Sequence, residues 1–374
     1  MIGNYTDDFP ILENYLHLDH AAVGPIPKRA VQEGSEFLEH VCHHGHLSFE
    51  SWLESRAAVK QSLARMMAAE ASQIALTKNT SDGLLKLSNA LDWKAGDNVI
   101  LFNNEFPANV YPWTSLSIRD VDCRFVPEKD GKYDLEDVKS LIDENTRLMA
   151  VSQVEFSTGY RQDLVSLGKL CSEHGILFVV DAIQGLGAVP LDVNECQIDF
   201  LSAGGHKWLM SGFGMGCLYA RDSATEKLSR LIHGYGAVEK PMDFLNYNQP
   251  LGKGGERFED GMFNVTGIKV MEASLGLLLD VGIENIYRHL LELGDYLAAE
   301  LKSRGYELLS PVDKDSRSGI LSFHSKKHNS DKLHKIISDS RIIVSNRRGC
   351  IRVSPHFYNT REHLDQLLNL LPEG

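Results

Sequence analysis

The sequence predicts an α/β protein built on a mainly parallel sheet, and two patterns carry that prediction. The first is a succession of short apolar, β-branched runs at residues 74–77, 98–102, 123–126, 148–152, 176–181, 198–202 and 215–220, with helical patterns such as 82–91 and 164–174 between several of them. Alternation of this kind favours parallel strands, whose ligand sits beyond their carboxyl ends. The second pattern is that three of these runs end on residues with chemistry: Thr80 and Ser81, Asp181, and Lys207.

The elements follow in order. Residues 14–26 read as an extended lead-in, and Pro27 opens a helix through about residue 43, because its fixed φ suits a first helical position. A second helix is expected over 49–68. Glu36, His40, His43 and His44 share one face at this point. Neither an HExxH pattern nor a cysteine partner accompanies them, so the cluster reads as solvated or capping histidines and no metal is expected. Further on, the glycines of 211–216 lead into a strand, which excludes a dinucleotide loop because such a loop must open a helix. The last third predicts helices over 269–281 and 285–303, strands at 319–324, 342–345 and 351–354, and a final helix over 362–371. The apolar repeat Ile286, Leu290, Leu293, Leu297 and Leu301 has the helical period of core packing.

Bulk properties narrow the function class. A chain of 374 residues is long enough for roughly two domains, and 43% hydrophobic residues can fill a substantial core. The net charge of −13 argues against a nucleic-acid or anionic-membrane partner. Six cysteines without a CxxC pair read as reduced thiols of a cytoplasmic protein. The N-terminus lacks the basic and apolar regions of a signal peptide, and no apolar run reaches the ~18 residues of a membrane span.

The strand ends carry the chemistry. Asn79-Thr80-Ser81-Asp82-Gly83 gathers hydroxyls and free N–H groups at a helix start, which suits a phosphate as well as an ordinary helix cap. Asp181 ends an apolar strand, where a buried carboxylate needs a cation or several donors unless it simply caps a helix. Lys207 lies in Ser202-Ala203-Gly204-Gly205-His206-Lys207-Trp208, where small neighbours let an amine enter a cleft and form a Schiff base. Together these supply what pyridoxal 5′-phosphate needs: a phosphate cradle, an acid for the pyridine nitrogen and an amine for the aldehyde.

Six blocks in order then resemble the class V aminotransferase and cysteine-desulfurase-like superfamily over nearly the whole chain. They are Leu18-Asp19-His20-Ala21-Ala22-Val23-Gly24-Pro25, Asn79-Thr80-Ser81-Asp82-Gly83, Glu105-Phe106-Pro107-Ala108-Asn109, Asp181-Ala182-Ile183-Gln184, Gly205-His206-Lys207-Trp208 and Arg352-Val353-Ser354-Pro355-His356-Phe357-Tyr358-Asn359-Thr360. The motifs look most like the isopenicillin-N-epimerase-like and uncharacterised aminotransferase members. The resemblance implies the fold-type-I architecture: a large domain with a seven-stranded sheet between helices, and a smaller α+β C-terminal domain. It implies an N-terminal arm over 1–20 joining the small domain, the large domain over 21–255 and the small domain over 256–374. It further implies that Thr80 and Ser81 hold the phosphate with His206 close by, that Lys207 bears the cofactor, that Asp181 pairs with the ring nitrogen and that Gln184 bonds the ring's phenolic oxygen. Phe106 would stack on the cofactor. Arg352 would grip a substrate carboxylate, with His20 and Ala22 beside the substrate, while Arg347 and Arg348 read as surface arginines on an edge strand.

Departures from the pattern narrow the reaction. Desulfurases and selenocysteine lyases usually place histidine where this chain has Phe106, asparagine where it has Phe156, and a nucleophilic cysteine on a mobile loop. Here Cys350 stands only two residues before Arg352 in an apparent strand and reads as a buried thiol. The glycine-rich segment 252–264 resembles the one that reaches a neighbouring subunit's cofactor, with Met262 where threonine is common, so a homodimer is expected. The expected activity is class V aminotransfer on an amino-group substrate with a carboxylate. Elimination or lysis at Cβ and epimerisation at Cα are the alternatives within the family. Outside it stand a non-catalytic module that binds the cofactor and a dehydrogenase, for which no strand-GxGxxG-helix unit is found.

Overall fold

The computed structural model describes residues 5–129, 131–228 and 234–374, so residues 1–4 of the expected N-terminal arm lie outside the described residues. After strand β1 (Leu16–His17), helices α1 (Lys28–His44) and α2 (Phe49–Met67) lead to β2 (Ile74–Thr77) and α3 (Thr80–Ala90). There follow β3 (Asn98–Phe102), the single turn α4 (Tyr111–Thr114), β4 (Asp122–Val126), α5 (Leu135–Ser140), β5 (Thr146–Ser152), α6 (Leu164–His174), β6 (Leu177–Asp181), β7 (Phe200–Gly204), β8 (Gly216–Ala220) and the turn α7 (Asp222–Thr225). The C-terminal part comprises α8 (Val265–Val281), α9 (Ile283–Ser303), β9 (Glu307–Leu308), β10 (Leu321–His324), α10 (Ser330–Asp339), β11 (Ile342–Ile343), β12 (Ser345–Arg347), β13 (Cys350–Val353) and α11 (Arg361–Leu368).

Seven strands form one sheet in the order β2-β8-β7-β6-β5-β3-β4. Only β8 runs against its neighbours β2 and β7; the other pairings are parallel. The carboxyl ends of β2, β3, β5, β6 and β7 therefore share one edge of the sheet, the edge where such folds bind ligands. Successive residues of the strands alternate between two cores. Val99, Leu101, Leu148 and Ala150 face one core with Leu84 and Leu87 of α3, while Ile100, Phe102, Met149 and Val151 face the other with Val59 and Leu63 of α2. Both faces are covered, which is why these runs are apolar throughout rather than at every second position.

The C-terminal part builds its own core from Leu293, Leu297, Leu301, Phe323, Ile351 and Leu364, and Leu16 and Leu18 of the N-terminal lead-in join it. Strand β1 pairs with β11 in parallel, Leu16 with Ile342 and His17 with Ile343. The four-stranded order β12-β13-β10-β9 completes this part. Helix α8 lies outside it, packed along α1 and α2 on the large sheet's side. The glycine-rich connection before α8 is anchored by Glu259, which accepts from the Leu76 N–H at 3.2 Å and pairs with Lys60 at 3.0 Å and Arg56 at 3.1 Å.

Among the elements that differ from their expected bounds, three do so for evident local reasons. Helix α3 begins at Thr80 because Asn79 caps it, its Oδ1 accepting from the Asp82 N–H at 2.9 Å, so Thr80 and Ser81 belong to the first turn. Strand β7 runs to Gly204, two residues beyond the apolar run, because Ala203 and Gly204 still pair with Cys217 and Gly216 of β8. The expected strand over 342–345 divides at Val344: β11 joins β1 and β12 joins β13.

Candidate active site

A cavity of about 410 Å³ opens at the shared strand edge, lined by Ala22, Thr80, Ser81, Phe106, Phe156, Asp181, Gln184, His206, Lys207, Arg347 and Arg352 among others. Lys207 follows β7 through a two-residue turn and is only 7% exposed. Its amine stands 5.4 Å from the centre of the Phe106 ring. Burial, opposed by the charge of Asp181 and reinforced by Arg352, lowers its pKa to about 8. The backbone of residues 21–24 closes against it: the Gly24 N–H donates to His206 O at 2.9 Å. A side chain at Gly24 would meet Lys207 O at 2.3 Å, so only glycine fits there.

Asp181, the last residue of β6, is buried, and desolvation raises its pKa to about 6 against the Ile183 N–H and Lys207. One of its oxygens accepts from Ile183 N–H at 2.9 Å, while Oδ2 is buried without a partner. Thr80 Oγ1 is likewise buried and unpartnered in the first turn of α3. Such orphaned groups are costly unless a ligand meets them. An acceptor awaiting a protonated nitrogen, a hydroxyl at a helix N-terminus and a partly desolvated amine in one cavity fit pyridoxal phosphate. Ser81 and His206 also line the cavity; burial and then the charge of Lys207 lower the His206 pKa.

Gln184 is held at both ends, its Nε2 donating to Ala21 O at 3.0 Å and its Oε1 accepting from Trp208 Nε1 at 2.9 Å. Any bond to a ring oxygen would use its second N–H. Phe106 and Phe156 meet edge to face at 5.4 Å over the opening. Arg352 is 1% exposed. It donates to Phe156 O at 2.7 Å and to Asp19 Oδ1 at 3.1 Å, and its Nε has no partner.

The structure corrects the expected place of His20. Its backbone N–H bonds Ser354 O, and its ring turns inward among His17, Trp208, His356 and Tyr358, wholly buried and outside the cavity lining. It supports the site from behind instead of facing a substrate. Arg347 is exposed on the edge strand β12 as expected, yet its side chain also lines the cavity. Arg348 does not line it and pairs with Glu128 at 3.2 Å. Glu105, to which the sequence assigns no role, lies just beyond β3. Ser152 N–H donates to it at 2.5 Å and the Ser152 hydroxyl also bonds it, while desolvation and the nearby Asp181 charge raise its pKa to about 8. Cys350 is buried, burial raises its pKa, and it does not line the cavity. On α1, His40 and His44 stack at 4.7 Å; among the described residues no group of His, Cys, Asp and Glu is placed to hold a metal.

A doubly covered parallel sheet with a buried lysine and carboxylate at its strand ends defines an enzyme of the pyridoxal-phosphate type. The chain matches the family described as aminotransferase class V over residues 16–367 and belongs to it, and pyridoxal 5′-phosphate is the cofactor that comes with that family. It is 28% identical to a probable cysteine desulfurase of Methanothermobacter thermautotrophicus, over 98% of this chain and 96% of the relative. It is 24% identical to the uncharacterized aminotransferase YcbU of Bacillus subtilis, over 96% of this chain and 94% of the relative. Among solved structures, the apo cysteine desulfurase of Thermococcus onnurineus matches with a TM-score of 0.87 at 24% identity, covering 98% of this chain and 96% of that one. A complex of the cystine C-S lyase C-DES with cysteine persulfide matches with a TM-score of 0.89 at 22% identity, covering 96% and 98%. The fold is that of the fold-type-I pyridoxal-phosphate enzymes.

Proposed function

We propose that the protein is a pyridoxal-phosphate enzyme acting at the Cα of a carboxylate-bearing amino acid, and that its reaction is transamination. The observation that carries the reading is the convergence of Asp181 Oδ2, Thr80 Oγ1 and the Lys207 amine, each without its natural partner or out of its usual protonation range, on one cavity. The bound cofactor supplies an electron sink for the pair left when a bond at Cα breaks. Asp181, whose Oδ2 has no partner, would hold a proton on the ring nitrogen. Thr80, Ser81 and the first turn of α3 hold the phosphate, with His206 beside them. Arg352 orients the substrate carboxylate, and Phe106 and Phe156 exclude water from the mouth. Lys207 would hold the cofactor's aldehyde and, as a free amine, would move the proton from the substrate Cα to the former aldehyde carbon, the shift that transamination requires; a pKa lowered to about 8 suits that role.

A second reading, direct elimination at Cβ, is supported by the names of the desulfurase relatives. It would proceed without a persulfide on the protein, because no cysteine lines the cavity among the described residues. Incubating holoenzyme with single amino acids separates the two. Accumulation of pyridoxamine phosphate with L-glutamate or L-alanine supports transamination, whereas pyruvate and sulfide from L-cysteine without pyridoxamine phosphate overturn it in favour of elimination.

A homodimer belongs to the same proposal. Phe213, Tyr235, Phe244, Leu245, Tyr247 and Met262 are exposed apolar side chains; Phe213 stacks on the cavity residue His206 and Tyr235 packs on Phe244. Free cysteines suit the cytoplasmic setting. The domain division at residues 20 and 255 is supported by the separate core of the C-terminal part, although α8 packs with the large domain's helices.

A further inference from the structure

We infer that the substrate carries a second carboxylate, on its side chain, and that Arg347 recognises it; this rests on the function proposed above. Arg347 and Arg352 occupy adjacent antiparallel strands, β12 and β13, with Ser345 opposite Arg352 and Arg347 opposite Cys350. Residues 345, 347, 350 and 352 therefore share one face of the sheet, and the two arginines are diagonal neighbours on it. Diagonal pairs of this kind stand about 7 Å apart at their bases, and both side chains line the same cavity.

The two cations differ in depth and in commitment. Arg352 is buried, and Asp19 and Phe156 O already occupy both of its terminal nitrogens. Arg347 is exposed at the rim, and among the described residues its side chain makes one hydrogen bond, a 3.3 Å contact from Nη1 to the carbonyl of Asn346. Among the described residues no carboxylate pairs with it. Its charge nevertheless reaches the interior, where it disfavours protonation of both Lys207 and Arg352. An unpaired guanidinium aimed into a pocket is a two-pronged site for a carboxylate. One carboxylate at the floor and a second at the rim match a four- or five-carbon dicarboxylic amino acid, of the size of aspartate or glutamate. A monocarboxylic substrate would leave the charge of Arg347 unanswered.

The test titrates holoenzyme with succinate and with butyrate, diacid and monoacid of equal chain length without an amine, and reads dissociation constants by calorimetry. Succinate should bind roughly tenfold tighter or more, the worth of one charge-assisted contact. Arg347→Gln should bring that ratio close to one, Arg347→Lys should restore part of it, and Arg348→Gln should leave it as in the wild type. Equal binding of the two acids by yellow, cofactor-loaded protein overturns this inference alone. Failure of the protein to take up pyridoxal phosphate overturns the proposed function and this inference with it.

Discussion

Asp19 and Arg352 form a buried ion pair, Oδ1 to Nη2 at 3.1 Å, that joins the beginning of the chain to β13 beneath the cavity. Ser345 completes it, donating from its hydroxyl to Asp19 Oδ2 at 2.5 Å. The arginine expected to grip a substrate is thus held in place before any substrate arrives.

Removing one member of that pair strands the other charge. Asp19→Ala should destabilise the protein by about 3–5 kcal/mol, the usual result of leaving a buried charge uncompensated. The double change Asp19→Ala with Arg352→Met should recover much of that loss while abolishing turnover. Chemical denaturation of the two variants beside wild type checks the first point, and a coupled activity assay checks the second.

The lowered pKa of Lys207 sets when the apoprotein can capture its cofactor. Only the neutral amine attacks an aldehyde, so the capture rate should rise with pH through about 8 and level off above it. A lysine at its ordinary value would still be rising at pH 10. Stopped-flow absorbance of pyridoxal phosphate mixed with apoprotein reads the profile, and Lys207→Ala should give no borohydride-fixed label.

Asp181 trades stability for cofactor binding. Its folded pKa of about 6 lies above the ordinary carboxylate value, so its contribution to apoprotein stability is full below about pH 4 and is lost as pH rises through 6. Asp181→Asn should therefore stabilise the apoprotein at pH 7 by up to about 3 kcal/mol, while weakening cofactor retention. Thermal melts of both proteins with and without pyridoxal phosphate should show opposite signs.

Thr80→Ala removes a hydroxyl that has no partner in the protein. The apoprotein should melt no lower than wild type, because the hydroxyl lost is one whose unpartnered burial costs stability. Cofactor dissociation, followed by dialysis and absorbance, should quicken roughly tenfold, and Thr80→Ser should restore it.

Strands β2, β3, β5, β6, β7 and β8 were legible because each is a short apolar run largely buried on both faces, whereas β4, exposed along most of its length, shows a weaker run; residues 80, 181 and 207, which the structure brings to one cavity, stand out because they follow such runs. The reversed direction of β8 was not legible, since an antiparallel strand buried on both faces has the same composition as a parallel one. Arg347 read as a surface residue because exposure and pocket lining coincide at a cavity rim, and nothing local distinguishes the two. Glu105 showed no signal of its own because its hydrogen-bond partner Ser152 lies nearly fifty residues away. His20 was misplaced because a motif gives proximity to a site but not the direction of a ring.

The clasp of residues 21–24 over the lysine backbone fixes an order of assembly. That clasp follows directly from β1, which pairs with β11, and Asp19 bonds Ser345 and Arg352. A ribosome-bound chain ending before these late strands has the lysine but not the wall that encloses it. Loading of the vitamin should therefore wait for residues 342–352, whose strands hold that wall in place.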